Sequence, residues 1–356
     1  MQIFDTLAEM GHEQVVLCQD EAAGYRGIIA VHSTVLGPAL GGTRFWNYDN
    51  DEAAIVDALR LARGMTYKNA VAGLNLGGGK SVIIGNNRTT DREMIFRAHG
   101  RFVESLGGRY ITAEDVGTST ADMDFVHMET DYVAGLAGRS GDPSPVTAHG
   151  VFRSIQASAK YRWGKDDLSG RTISVQGCGH VGYYLAKELH QAGAQLVVTD
   201  IDKERVQRVV DDFGAKAVGT EEIYAVDADI FAPCALGAII NDQTIPQLKV
   251  EVVSGAANNQ LLEERHGHEL EAKGILYAPD YVANAGGVIN VYSELAGWSS
   301  ARAFRKADEI FDTVLKVFEI AKQKGIPTFQ AADRLAEERI KQVGAMVRTW
   351  PQWPNK

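Results

Sequence analysis

Three observations predict an α/β protein of two domains. A chain of 356 residues exceeds what one hydrophobic core supports. Short β-branched runs alternate with amphipathic helical stretches along most of it, the pattern of strands joined by crossover helices. Between Gly135 and Pro145 the composition turns abruptly to Gly, Ser and Pro, as in a linker or hinge, and helical periodicity resumes near Thr147. The expected domains are therefore residues 1–146 and 147–324, with the closing helices, about 325–356, returning to the first.

In the first domain, Gln14–Gln19 and Gly27–His32 read as strands around a turn at Glu21–Gly24. A turn of small residues is expected over Leu36–Arg44. Asn50 or Asp51 then caps a helix in which Ala54, Ile55, Ala58, Leu59 and Ala62 recur at helical spacing, carrying the chain to Lys68. Met65–Lys80, M-T-Y-K-N-A-V-A-G-L-N-L-G-G-G-K, sets two lysines around an apolar, glycine-rich segment. Gly77, Gly78 and Gly79 are costly in a strand or helix, so they are expected to let a ligand approach the backbone. A lysine in such a pocket loses hydration and feels a second lysine, and both effects lower its pKa toward that of a general base. Two solvated lysines beside a glycine loop are the plain alternative. Ser81–Ile84 and Arg109–Ala113 read as strands and 92–106 as a helix, which puts Asp115 at the carboxyl end of a strand, where α/β sheets bind ligands. Alone, that residue would read as a turn or cap.

The second domain carries the more specific signal. Thr172–Gln176 is a strand, Gly177-Cys178-Gly179-His180-Val181-Gly182 follows, and an amphipathic helix runs through Leu185, Ala186 and Leu189. A strand at Gln195–Thr199 ends in Asp200, at the spacing that a dinucleotide fingerprint requires. This is a Rossmann-type domain, separated from the first by a cleft. Gly177 permits the tight turn, Gly179 the approach of a pyrophosphate to the helix start, and Gly182 close helix–strand packing. Asp200, with Asp202 beyond it, accepts the ribose hydroxyls and repels a 2′-phosphate, so NAD is expected over NADP. Further strands are expected at 216–218, 230–232, 250–254 and 275–278. Loops at Pro233–Gly237, with Ala235, and Gly255–Gln260, with Asn258 and Asn259, look shaped for a ligand; the asparagines equally suit helix caps. Asn284–Val291 starts a helix, 301–324 and 329–347 are long helices, and the Trp- and Pro-bearing tail at 349–354 is not helical.

A formal net charge of -10 without a basic cluster argues against nucleic acid and anionic membrane, leaving a small molecule as the expected ligand. No apolar run reaches bilayer length and Met1–Asp5 lack the character of a signal peptide, so a cytoplasmic protein is expected. Cys18, Cys178 and Cys234 are widely spaced and read as reduced, buried thiols. His266 and His268 lie in a polar segment and read as surface side chains, with no metal site expected.

Six blocks together carry a resemblance: G-P-A-L-G-G-T-R at 37–44, G-M-T-Y-K at 64–68, G-G-G-K at 77–80, I-T-A-E-D-V-G at 111–117, P-S-P-V-T-A at 143–148 and G-A-A-N-N-Q-L at 255–261. The chain resembles the glutamate/leucine/phenylalanine/valine dehydrogenase superfamily over nearly its full length, and its leucine branch most. The resemblance implies a substrate-binding and oligomerising first domain, with Lys68 binding the substrate carboxylate, Lys80 as general base and Asp115 assisting proton transfer. It places Gly41, Gly77 and Gly78 by the substrate, and Thr147, Asn258 and Asn259 near the nicotinamide and the substrate amino group. His180, Val181 and Ala235 fall in the cofactor segments.

The implied reaction is reversible, NAD-dependent oxidative deamination of an L-amino acid in a homo-oligomer, octamer or dimer, with hinge closure excluding water. Glutamate enzymes tend to carry lysine where Leu40 stands, and phenylalanine and tryptophan enzymes glycine where Ala113 stands. With Val291 as an aliphatic wall, leucine, isoleucine and valine are favoured. His180, Trp46, Trp298 and the tail depart from the leucine pattern. The rivals are the same reaction on phenylalanine or tryptophan, a non-catalytic dinucleotide-binding protein, and a 2-hydroxy acid dehydrogenase, for which no His and Arg pair stands out.

Overall fold

The computed structural model describes residues 2–136, 138–139 and 141–346, so the tail at 349–354 lies outside the described residues. The chain forms two compact units: one takes the residues through Val133 and again from Arg334, the other runs from Ala134 to Asp333. The first division falls before the helix that begins at Ser144, not at 146, because that helix buries its face in the second unit's core. The second falls within the last helix rather than at 324.

The first unit opens with helix α1 (Ile3–Met10) and strands β1 (Gln14–Asp20), β2 (Tyr25–Ser33) and β3 (Ala39–Trp46). Helix α2 (Asp51–Val71), strand β4 (Gly77–Ile84), helix α3 (Glu93–Glu104), strand β5 (Tyr110–Glu114) and helix α4 (Thr120–His127) follow. The sheet order is β1-β2-β4-β3-β5, antiparallel on the β1 side and parallel from β4 to β5. Asn50 caps α2 by accepting the Ala53 N–H. The buried stripe of α2, Ala54, Ile55, Ala58, Leu59 and Ala62, packs on Ile28 and Ala30 of β2 and Val82 of β4. Each larger side chain buried there stabilises by about 1.5–3 kcal/mol. Lys80 is the strand partner of Ala30 and stands two residues before Val82, so the pleat turns it to the α2 face.

Two expectations for this unit are corrected. Residues 39–44 are strand rather than turn, because β3 is paired on both sides and its glycines sit where neighbouring backbones crowd in. A Cβ on Gly41 would fall 1.7 Å from the Gly79 carbonyl oxygen, and one on Gly42 2.6 Å from that of Glu114. The triple glycine is likewise inside β4 and is crowded by protein. Cβ atoms there would meet the Ser33 carbonyl oxygen, the Thr66 backbone and the Tyr110 ring in turn. The sequence reading also passed over α4, although Ser119 and Asp122 form its capping box.

The second unit contains α5 (Ser144–Trp163), β6 (Thr172–Gln176), α6 (His180–Gln191), β7 (Gln195–Thr199), α7 (Lys203–Phe213), β8 (Lys216–Ala217), β9 (Ile230–Pro233), β10 (Val252–Val253), α8 (Glu264–Ala272) and β11 (Leu276–Tyr277). Helices α9 (Asp280–Ala283), α10 (Gly286–Leu295), α11 (Ser300–Asp308), α12 (Ile310–Lys324) and α13 (Thr328–Gly344) close the chain. All six strands are parallel in the order β11-β10-β9-β6-β7-β8, the doubly wound order that reverses between β6 and β9. The stretch expected as one helix over 301–324 breaks at Glu309, where no Gly or Pro signals it. Among the described residues no helix is long and apolar enough to cross a membrane.

His149 ties three helices of this unit together. Its Nδ1 lies 2.9 Å from Glu188 of α6 and its Nε2 3.0 Å from Asp308 of α11, which Arg153 also meets at 3.4 Å. Burial alone would lower its pKa, but the two carboxylates outweigh burial and hold it above the ordinary 6.5. The imidazolium's contribution to stability is therefore full below 6.5 and is lost as pH rises through the elevated folded value. The gap in melting temperature between wild type and His149→Gln is expected to be wider at pH 6 than at pH 9. An equal gap would mean that the pairing adds no net stability.

Candidate active site

Lys80 is the fourth residue of β4, its side chain only 6% exposed, and Nζ donates to Asp115 Oδ2 at 2.5 Å. Asp115 follows β5 directly, and Gly42 of the intervening β3 makes the meeting possible: a Cβ there would stand 2.8 Å from the Asp115 Cβ. The same Oδ2 accepts from Arg44 Nε at 3.3 Å. Arg44 continues through Nη1 to Asp57 Oδ2 at 2.7 Å, and Asp57 also accepts from Tyr48 at 2.6 Å and from Arg60 at 3.0 Å. Loss of hydration on burial pushes the Lys80 ammonium below the ordinary lysine range; the Asp115 carboxylate opposes this without cancelling it, and Arg44 adds to it. Burial alone would raise Asp115, but Lys80 and Arg44 outweigh it and hold the carboxyl below its usual value. Arg44 is thus a like charge acting on Lys80 to which the sequence assigned no such part.

Lys68 is half-buried in the last turn of α2, between two residues that grip β4. Thr66 covers Gly78, and Asn69 Nδ2 donates to the Gly77 carbonyl oxygen at 2.5 Å. Leu40, 2% exposed, stands abreast of Gly78 and Ile111 in the strand register. Ala113, 9% exposed, lies two residues beyond Ile111. By pleat alternation Leu40, Gly78, Lys80, Ala113 and Asp115 share the α2 face of the sheet. Gly41 and Gly77 do not join them: both are closed in by neighbouring backbone. Arg44, Tyr48 and Asp57 were assigned no part from the sequence, although Arg44 follows Leu40 and Gly42 at the strand period and so shares their face.

In the second unit, the loops after β6 and β9 meet at the reversal of strand order. Gly177 has φ 103, and a Cβ on it would lie 2.9 Å from the Ala235 Cβ. One on Gly182 would fall 1.9 Å from the Gly177 carbonyl oxygen. The chain itself requires these two glycines. Gly179 is different: φ is -67, and a Cβ would meet nothing nearer than the tip of Arg205 at 3.7 Å. The free space lies at the amino terminus of α6, whose N–H groups and dipole suit a phosphate. His180, its side chain 82% exposed, and half-buried Val181 open that helix, and His180 Nδ1 lies 3.4 Å from Asp142. Asp200 is locked at the end of β7, accepting the Cys178 N–H at 2.7 Å and the Asp202 N–H at 2.9 Å.

Thr147, in the first turn of α5, donates to the Pro143 carbonyl oxygen and borders Gly286 and Gly287 at the start of α10. Asn284 Nδ2 reaches Asn258 at 2.8 Å and the Ala256 carbonyl oxygen at 2.9 Å, while its Oδ1 is buried with no hydrogen-bond partner among the described residues. That open acceptor suits an amide donor, and the sequence reading gave Asn284 no part. Asn259 is exposed with φ 51, neither asparagine caps a helix, and Val291 is half-buried in α10. Free space at Gly179, the carboxylate at Asp200 and the open Asn284 Oδ1 fit a dinucleotide.

His266 is fully buried, contrary to expectation, because its Nδ1 accepts the Glu263 N–H in the cap of α8. With Asp242 and Glu269 it forms the one cluster of metal-ligand type among the described residues, but Arg265 already bridges both carboxylates. Cys18 and Cys178 are buried free thiols, and Cys234 is half-buried.

Gly179→Ala is expected to leave the melting temperature unchanged while weakening dinucleotide binding by about tenfold or more, about 1.4 kcal/mol. Gly182→Ala should instead destabilise the fold by about 1–3 kcal/mol through overpacking. Calorimetric titration beside thermal melts checks both, and equal behaviour of the two variants would contradict the assignment.

Residues 12–132 match the family model described as Glu/Leu/Phe/Val dehydrogenase, dimerisation domain. Residues 138–204 and 198–347 match Glutamate/Leucine/Phenylalanine/Valine dehydrogenase. The leucine dehydrogenase of Bacillus subtilis strain 168 is 60% identical over 346 residues, 96% of this chain and 95% of that protein. An L-tryptophan dehydrogenase of Nostoc punctiforme is 51% identical over 343 residues, 96% of each chain. The crystal structure of L-tryptophan dehydrogenase from Nostoc punctiforme matches with a TM-score of 0.87 at 49% identity, covering 96% of this chain and 99% of that one. With both units matched and the fold shared, the chain belongs to the Glutamate/Leucine/Phenylalanine/Valine dehydrogenase family and is an amino acid dehydrogenase of the dinucleotide-binding kind.

Proposed function

We propose that the protein catalyses the reversible, NAD-dependent oxidative deamination of leucine, isoleucine and valine to 2-oxo acids and ammonia. The observation that carries this reading is the ion pair of buried Lys80 with half-buried Asp115 on the same sheet face as Leu40 and Ala113. Lys68 pairs with the substrate carboxylate, a charge-assisted bond that also orients Cα. Gly179, at the open amino terminus of α6, and Asp200 would hold NAD, with Gly177 and Gly182 shaping the turn, and the bound cofactor would supply the acceptor for the hydride that leaves Cα. Lys80, in its neutral form, takes a proton from the water that adds to the resulting imino acid, and Asp115 steadies the ammonium so formed. Asn259 meets the amino group, which departs as ammonia. The depressed pKa of Lys80 brings the neutral form within reach, so the rate rises with pH as the lysine loses its proton.

The two carboxylates at the end of β7, Asp200 and Asp202, would repel a 2′-phosphate there, which supports NAD over NADP. Leu40 gives no partner to a second substrate carboxylate, and the methyl of Ala113 takes up space that a larger side chain would need, which favours aliphatic substrates. The dimerisation domain named in the family model supports a homo-oligomer, dimer or octamer, for which a cytoplasmic setting is proposed.

NADH formation at alkaline pH, measured with L-leucine, L-valine, L-phenylalanine, L-tryptophan and L-glutamate, tests this reading. Turnover on the aliphatic substrates is expected, with glutamate rejected and Lys80→Ala slower by about 10²–10⁴-fold. Preference for an aromatic substrate would overturn the reading of Leu40, Ala113 and Val291. Undiminished turnover in Lys80→Ala would overturn the base.

A further inference from the structure

Asp115 is held from two sides by cations that do not resemble each other. Lys80 and Arg44 donate to the same carboxylate oxygen, Oδ2, at 2.5 and 3.3 Å. The other end of the guanidinium is clamped by Asp57, which is itself fixed by Tyr48 and Arg60. The backbone of Asp115 needs no help from Arg44, since its N–H donates to Thr118 Oγ1 at 2.9 Å. What remains for Arg44 is the carboxylate's orientation and charge.

We propose that Arg44 is a positioning residue for the reaction: acting through Asp115 and anchored by Asp57, it keeps the carboxylate on Lys80 and maintains a second positive charge beside that lysine. The proposal rests on Lys80 being the base. A guanidinium stays charged at every pH at which the enzyme works, so its effect on Lys80 is constant while Lys80 itself titrates. The charged and titratable groups around the pair are Lys80 on β4, Arg44 and Tyr48 on and after β3, and Asp115 after β5. Asp57, Arg60 and Lys68 belong to α2, and Tyr110 lies on the other face of β5. Arg44 and Asp57 act on Lys80 with opposite signs: the cation eases loss of its proton and the anion hinders it. Variants at the two positions should therefore move the pH profile in opposite directions, which a purely structural pair would not do.

The test is the pH dependence of kcat and kcat/KM for wild type, Arg44→Gln, Arg44→Lys, Asp57→Asn and Lys80→Ala, with thermal melts alongside. Arg44→Gln is expected to lower kcat tenfold or more with little change in KM, and to move the rising limb of the profile up by roughly one pH unit. Arg44→Lys should return the limb toward its wild-type position without restoring the full rate, because the shared-oxygen geometry of the fork is lost. Asp57→Asn should move the limb down. Reduced rates with an unmoved limb in both Arg44→Gln and Asp57→Asn would overturn the proposal. If Arg44→Gln does not fold, Asp57→Asn decides: a downward shift supports the proposal, and no shift or an upward one overturns it. Wild-type activity in Lys80→Ala would instead mark failure of the base assignment on which the proposal rests.

Discussion

A lysine ammonium taken out of water is the constraint around which the first unit is arranged. The effective penalty for burying such an ion is several kcal/mol, and it is offset only by close, well-oriented partners. Asp115 supplies the partner, but it can reach Lys80 only across β3, and β3 admits it only where Gly42 has no side chain. The alanine stripe of α2 and the glycines at the start of β4 continue the same logic, letting helix and sheet lie close enough to exclude water from Lys80. Small residues in this unit are thus chosen by the approach of neighbouring backbone. The result is a lysine whose proton is held less firmly than usual, beside a carboxylate held as an anion.

In the second unit the glycines separate into two kinds. Gly177 and Gly182 are demanded by the fold, one by its positive φ and one by contact with a carbonyl oxygen. Gly179 is demanded by neither, and its open space faces a helix amino terminus beside a fixed aspartate. A residue whose smallness the chain does not require points to something the chain binds.

The second unit was legible in the sequence nearly strand by strand because each of its constraints is local: strand, tight turn, helix and terminal Asp200 follow within about 30 residues. The first unit was less so. Leu36–Arg44 read as a turn because Gly41 and Gly42 depress strand propensity, while the pairing that overrides it comes from β4 and β5, far along the chain. Lys68, Lys80 and Asp115 could be named from chemistry and resemblance, but the second cation could not. Arg44 meets Asp57, 13 residues on, and Asp115, 71 residues on, and neither spacing is a signal. His266 was misplaced for a similar reason, since its burial follows from its place in the cap of α8 rather than from the polarity of its segment.

The most direct test of this account is titration of Lys80 itself, followed by the pH-dependent NMR shift of its side-chain label in the ligand-free protein and in Asp115→Asn. A midpoint below the ordinary lysine value is expected in the wild type, and a lower one still when the Asp115 charge is removed. A wild-type midpoint at or above the ordinary value, or a rise in Asp115→Asn, would contradict it.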